Sequence, residues 1–146
     1  MREIDRVLDS GKGEAWMRRA AVAHAVETAL WFGNGLRYRL HAYVIMPNHV
    51  HAVLTLQEGS VLGECLKSLK AYSAREANRL VGRQGRFWQK ESFDRLIRSA
   101  DQLDRTIRYI EWNPVKAGLA SDPKHYRFSS AFPANADRLS RHNDAL

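Results

Sequence analysis

His41-Ala42-Tyr43-Val44-Ile45-Met46-Pro47-Asn48-His49-Val50-His51-Ala52-Val53-Leu54-Thr55-Leu56 reads as a β-strand, a tight turn at Pro47-Asn48 and a second strand returning beside the first. Side chains on a strand alternate between faces, so residues two apart point the same way. His49 and His51 therefore project together, with Val50 and Ala52 on the reverse side. Two imidazoles on a rigid strand make half of a divalent-metal site. Spacing alone serves equally well for two polar residues on a solvated face, so the choice rests on the rest of the chain.

On either side of this hairpin the pattern is helical. Glu14 to Phe32 is predicted as a helix, with Ala15, Val22, Val26, Ala29 and Leu30 near one stripe and Gly33-Asn34-Gly35 closing it. The paired strands run from Leu36 to Ile45 and from His49 to Leu56. Val61 to Val81 forms a second helix, in which Leu62, Leu66, Leu69, Ser73, Ala77 and Leu80 recur at helical spacing. Ser92 to Arg98 is a short strand, and Ser99-Ala100-Asp101-Gln102 is a capping box opening a third helix. Leu103, Ile107 and Ile110 give that helix its apolar stripe; Pro114 is expected to interrupt it and Gly118 to close the segment beyond the proline. The order predicts an α+β fold of ferredoxin-like type, an antiparallel sheet with helices on one face. The usual opening strand is missing from this reading, because Arg2 to Leu8 is too charged and too short for a central strand. Residues 1–132 form one domain, and the polar, aperiodic 133–146 is expected to be a loose C-terminal tail.

With 146 residues the chain holds one domain with a real core. Its formal charge of +7 favours polyanionic partners. No apolar run approaches the ~20 residues needed to span a bilayer, no signal-peptide pattern opens the chain, and Cys65 is the single cysteine. The expected setting is the cytoplasm, nucleoid-associated when bound to DNA. The candidate phosphate-binding cations are Lys67, Lys70, Arg75, Arg79, Arg83 and Arg86, on the second helix and the loop after it. Trp88 stands among cations and can stack on an unpaired base or serve as core. Trp16, Trp31 and Trp112 are read as packing residues.

The other half of a site lies in Arg108-Tyr109-Ile110-Glu111-Trp112-Asn113-Pro114. Tyr109 and Asn113 are four apart and share a helical face. A tyrosine hydroxyl is a nucleophile when a metal polarises its target, and an asparagine carbonyl is a hard ligand suited to Mg²⁺ or Mn²⁺. A rim aromatic and a cap before Pro114 remain the plainer readings. Arg105 and Arg108 flank Tyr109 and can stabilise phosphate charge. Tyr72, on the second helix, is the competing nucleophile, with Glu76 four residues on.

Met46-Pro47-Asn48-His49-Val50-His51, Leu69-Lys70, Gly85 to Gln89, Phe93-Asp94 with Ile97-Arg98, Ile107 to Glu111, Asn113 to Leu119 and Tyr126 to Ser130 succeed one another in this order. Together they resemble the REP-associated tyrosine transposases, a domesticated branch of the single-tyrosine HUH transposases, from near Ile4 to Ser130. The resemblance implies a divalent metal held by His49, His51 and Asn113. It further implies attack by Tyr109 on a scissile phosphate of single-stranded DNA, giving a 5′-phosphotyrosine link and a free 3′-hydroxyl. Its implied substrates are DNA hairpins, the repetitive extragenic palindromes. The family's first strand, absent from this reading, leaves an open strand edge that a homodimer with exchanged elements would cover. A DNA-hairpin binder with little or no cleavage is the alternative, and an RNA-binding module a third.

Overall fold

The computed structural model describes residues 3–9, 15–89 and 93–145, with side chains for 15–89 and 94–144. Among the described residues four strands and four helices run in the order β1 (Glu3–Asp9), α1 (Ala20–Gly33), β2 (Tyr38–Ile45), β3 (His49–Leu56), α2 (Leu62–Val81), β4 (Phe93–Ile97), α3 (Ala100–Lys116) and α4 (Pro133–Ala145). Single 3-10 turns precede α1, at Trp16–Arg18, and succeed α3, at Pro123–His125. The strands form one antiparallel sheet in the order β2-β3-β1-β4. No helix among the described residues is long and apolar enough to cross a membrane.

The first strand, expected to be missing, is present and central. β1 pairs with β3 from Glu3↔Thr55 to Asp9↔His49 and with β4 from Glu3↔Ile97 to Val7↔Phe93. Its charges hid it from a hydrophobicity reading, but a ladder is held by backbone hydrogen bonds that any residue except proline can make. Because the chain supplies its own neighbour to β3, no exchanged partner strand is needed there.

Helices cover both faces of the sheet, not one. α1 and α2 pack over Leu40, Tyr43, Ile45, Val50, Ala52 and Leu54. On the other face, α3 lays Ile110, Ile107 and Leu103 over Ala42, Val44, Val53 and Ile97. A bulge between Leu40 and Ala42 changes which β2 residues serve each layer. Tyr38 and Leu40 point to the α1 side; after the extra residue His41, the odd positions Tyr43 and Ile45 do so instead, and Ala42 and Val44 turn to α3. The bulged His41 meets Thr55 Oγ1 through Nε2 at 2.6 Å.

Residues 133–145 are helix α4, not a loose tail. Leu139 is buried in the α1 core, Arg138 stacks 4.0 Å from the Trp31 ring centroid, and Asn143 Nδ2 donates to the Leu40 carbonyl at 3.3 Å. The segment before it runs along the outer edge of β2: Ile45 N–H donates to Phe128 O at 2.8 Å and Ser130 N–H to Tyr43 O at 2.9 Å. Buried Glu27 on α1 ties these pieces together, accepting from Tyr43 Oη at 2.7 Å and from both terminal nitrogens of Arg127 at 3.0 and 3.2 Å. A buried carboxylate is stable only with such partners. Docking through polar contacts and one leucine leaves no apolar period, which is why the sequence pattern did not disclose α4.

The boundaries move little elsewhere. The first predicted helix divides into the 3-10 turn and α1. Gly33 stays inside α1, where a Cβ would meet the Tyr38 ring at 2.6 Å. Pro114 does not interrupt α3, which continues to Lys116 before Gly118 at φ +76°.

Candidate active site

His51 leads the site. Its register partner on β2 is Val44, which faces α3, so His51 and its strand mate His49 also face α3. Val50 and Ala52 lie in the opposite core, as alternation predicts. His51 is buried, at 7% exposure. His49 is half-buried, and its Nδ1 lies 3.0 Å from Asn48 Oδ1. A carboxamide oxygen can only accept, so Nδ1 is the donor in this contact and Nε2 is the ring nitrogen left for a cation. A backing hydrogen bond of this kind is what orients an imidazole toward a metal.

α3 brings the phenol to this strand. Ser99 caps the helix, its Oγ accepting from Gln102 N–H at 3.0 Å, while Gln102 Oε1 accepts from Arg98 N–H at 2.8 Å. The box closes one residue earlier than its usual form but fixes where the helix starts. Farther along, Glu111 accepts from Ser130 Oγ at 2.6 Å, and Ser130 Oγ in turn accepts from Tyr43 N–H at 3.1 Å. Burial raises the Glu111 carboxyl above its ordinary range. Between cap and latch, Ile110 is fully buried and Tyr109 stands beside it at 53% exposure.

Tyr109 packs edge-on against His51, with ring centroids 6.1 Å apart and planes at 76°. Lys116, two turns on, holds Nζ 4.8 Å from the Tyr109 ring centroid. Asn113 lies half-buried one turn after Tyr109, and its carbonyl accepts from Ala117 N–H at 3.0 Å, so helical bonding carries on past Pro114. Imidazole, phenol and ammonium thus meet at one place. Two imidazoles and a carboxamide oxygen are a donor set suited to a divalent cation. Among the described residues no group of three or more His, Cys, Asp or Glu side chains forms a ready-made cage. A cation here would draw its remaining ligands from Asn113 and from substrate oxygens.

The predicted DNA contacts divide. Arg108 is exposed on α3 next to Tyr109. Lys67, Lys70, Arg75 and Arg79 lie on α2, across the sheet from Tyr109. Arg79 is paired with Glu76 at 3.0 Å, and Arg75 stacks 5.8 Å from the Tyr72 ring centroid. Arg83 and Arg86 lie in the loop after α2, Arg86 exposed. Trp88 is not a stacking platform: it is 4% exposed, its Nε1 donates to Ser73 Oγ at 2.9 Å, and Phe87 meets it edge-on. Tyr72, the competing nucleophile, lies on the α1/α2 face, in the wall of a cavity of about 530 Å³ with Arg37, Cys65 and Arg75. The sheet separates it from the histidines. Sequence reasoning missed Lys116, which a helical count from Tyr109 would have placed on its face. It also missed Trp112, read as packing but 44% exposed three residues after the phenol.

Comparison with known proteins bears on the family and the fold. The family model described as "Transposase IS200 like" matches residues 24–113. A REP-associated tyrosine transposase of Escherichia coli is 26% identical over 93 residues, 64% of this chain and 54% of that protein. A Haemophilus influenzae relative assigned to the same group is 29% identical over 99 residues, 61% of this chain and 56% of its own length. The chain thus spans about half the length of these relatives. A solved REP-associated tyrosine transposase bound to a REP hairpin shares the fold: TM-score 0.72 and 20% identity, over 94% of this chain and 80% of that one.

Proposed function

The chain belongs to the IS200-like transposase family, and on that premise we propose that it cleaves and rejoins single-stranded DNA beside hairpins, with Tyr109 as nucleophile. The observation that carries the reading is the edge contact between Tyr109 and His51 on the α3 face of the sheet. The Tyr109 oxygen attacks the scissile phosphorus and gives its proton to solvent. The P–O3′ bond breaks, and the departing 3′-oxygen takes up a proton. The segment downstream of the break stays on Tyr109 through its 5′-phosphate, as a phosphodiester, so attack by the freed 3′-hydroxyl reverses the step without ATP.

A divalent cation, Mg²⁺ or Mn²⁺, held by His49, His51 and Asn113, would polarise the scissile phosphate. The chain's own residues do the rest. Lys116 places a positive charge over the phenol ring, where it offsets charge building on the phosphate. Arg108 adds another on the same helix. Asn48 fixes the His49 ring, and the Glu111–Ser130 latch holds α3 on the sheet edge.

The reading as a hairpin binder with a misassembled site depended on a missing first strand, and β1 fills that place. An RNA module of the ferredoxin-like kind stacks bases on an open sheet face, whereas helices cover both faces of this sheet. The test is incubation with a labelled DNA hairpin carrying single-stranded flanks, with Mg²⁺ or Mn²⁺. The expected product is a denaturation-resistant protein–DNA adduct, absent from Tyr109→Phe and from chelator-treated samples. Tight binding without any adduct would restore the plain hairpin binder.

A further inference from the structure

We propose that Trp16, Arg19 and Arg83 form a phosphate clamp for the single strand that reaches Tyr109, an inference that rests on the proposed DNA chemistry. Trp16 lies in the 3-10 turn before α1, half-buried against the α1/α2 core. The Arg19 guanidinium stands 5.9 Å from its ring centroid and that of Arg83 5.4 Å. Arg83 is pinned as well by Asn78, whose Oδ1 accepts from its side chain at 3.3 Å and whose carbonyl accepts from its N–H at 3.0 Å. Two cations from different elements thus converge on one indole.

Among the described residues neither guanidinium has a carboxylate partner, whereas Arg79, Arg105, Arg127 and Arg141 each have one. Like charges brought together without an anion repel, and holding them together is favourable when an anion is bound between them. A guanidinium lying on an aromatic ring is pre-ordered and keeps its edge N–H groups available for phosphate oxygens.

The clamp also stands at the right end of the molecule. Met17 N–H donates to the Pro47 carbonyl at 3.0 Å, fixing the 3-10 turn against the β2–β3 turn that leads into His49. α1 begins and α2 ends at this end of the sheet, because each connects through its other terminus to the far ends of β2 and β3. α3 starts beyond Ile97, paired with Glu3 at the far end, and runs back to Lys116. A strand lying across the β2–β3 turn would pass from Tyr109 on one face to Arg19 and Arg83 on the other.

The experiment measures equilibrium binding of two fluorescein-labelled DNA hairpins, one with a single-stranded tail and one blunt, over a salt series. It uses the Tyr109→Phe chain, so no covalent step enters. Arg19→Gln/Arg83→Gln in that background should weaken the tailed hairpin about 10-fold at low salt. The log–log salt slope should shrink by about 1.4, for two contacts at about 0.7 each on single strands. The blunt hairpin should change by less than about 2-fold on the same reasoning. Arg19→Lys/Arg83→Lys should recover the slope, and Arg141→Gln, which removes an exposed paired arginine on α4, should alter neither. An unchanged slope, or an equal loss on the blunt hairpin, overturns the clamp. Failure of the parent chain to form an adduct, with the clamp effect intact, counts against the nuclease reading alone.

Discussion

On the face covered by α1 and α2, the sheet gives Leu40, Tyr43, Ile45, Val50, Ala52 and Leu54 to a continuous core that reaches Phe87, Trp88 and Leu139. On the face covered by α3 it gives Ala42, Val44 and Val53, and then yields the end of the ladder to His49 and His51. The same strands therefore carry a core on one side and the proposed chemistry on the other. Among the described residues the α3 core is smaller, and its helix is held by a cap, a short apolar stripe and the Glu111–Ser130 latch. A nucleophile on such a helix can be half-exposed without cost to the fold, because the larger face supplies the burial.

Four substitutions or conditions break or sharpen that contrast. The largest expected effect is on the chemical face. Tyr109→Phe should lower adduct formation by about 1000-fold or more, while changing unfolding free energy by less than about 0.5 kcal/mol because the ring is half-exposed; gel assay and urea melts report the two. On the core face the pattern inverts. Leu40→Ala should cost about 3 kcal/mol in unfolding free energy, with hairpin affinity near parental once the fold is kept well below its midpoint. Comparable stability losses from both variants would erase the distinction between the faces.

Smaller effects refine it. Asn48→Ala should weaken divalent-metal affinity about 10-fold by freeing the His49 ring, readable by isothermal titration with Mn²⁺; an unaltered affinity would mean the Asn48 contact orients nothing. The last is a pH effect on the core face. Burial, the largest cause in each case, raises the phenols of Tyr38 and Tyr43 above the ordinary tyrosine value. The unfolded chain ionises its tyrosines near pH 10, so below that value these two groups favour the fold fully. Their contribution is lost as pH rises through the ordinary value toward the raised ones. Alkaline titration followed at 295 nm should show their phenolate absorbance appearing together with loss of far-ultraviolet ellipticity. Absorbance rising well ahead of unfolding would place these hydroxyls in solvent.

Legibility tracked burial and period. The hairpin was legible because Val50, Ala52 and Leu54 alternate with His49, His51 and Val53, and α2 because its apolar residues recur at helical spacing. β1 was not, since Glu3, Asp5, Arg6 and Asp9 interrupt any apolar alternation and its place is set by pairing on both edges. α4 was not, since buried Asn135, Arg138 on Trp31 and a single leucine dock it. The second sheet face was hidden by the bulge at His41, which reverses the side each later β2 residue takes. Within the candidate site, spacing left the His49/His51 pair and Tyr109 open, and the ordered motifs behind the resemblance pointed to the meeting of His51 and Tyr109 that the structure has. Lys116 and Trp112 were not, because a cation near a helix end and a tryptophan beside an apolar stripe each have a commoner explanation. Trp88 failed in the opposite sense: Arg86, two residues before it, is exposed, while the Trp88 ring turns in to Ser73.

The central claim is that the two histidines and Tyr109 surround one cation. Tyr109 can be replaced by 3-fluorotyrosine and its fluorine resonance followed as Mn²⁺ is added. Strong paramagnetic broadening that disappears in His49→Ala/His51→Ala is the predicted result. A resonance that stays sharp, or broadening that persists without the histidines, would contradict it.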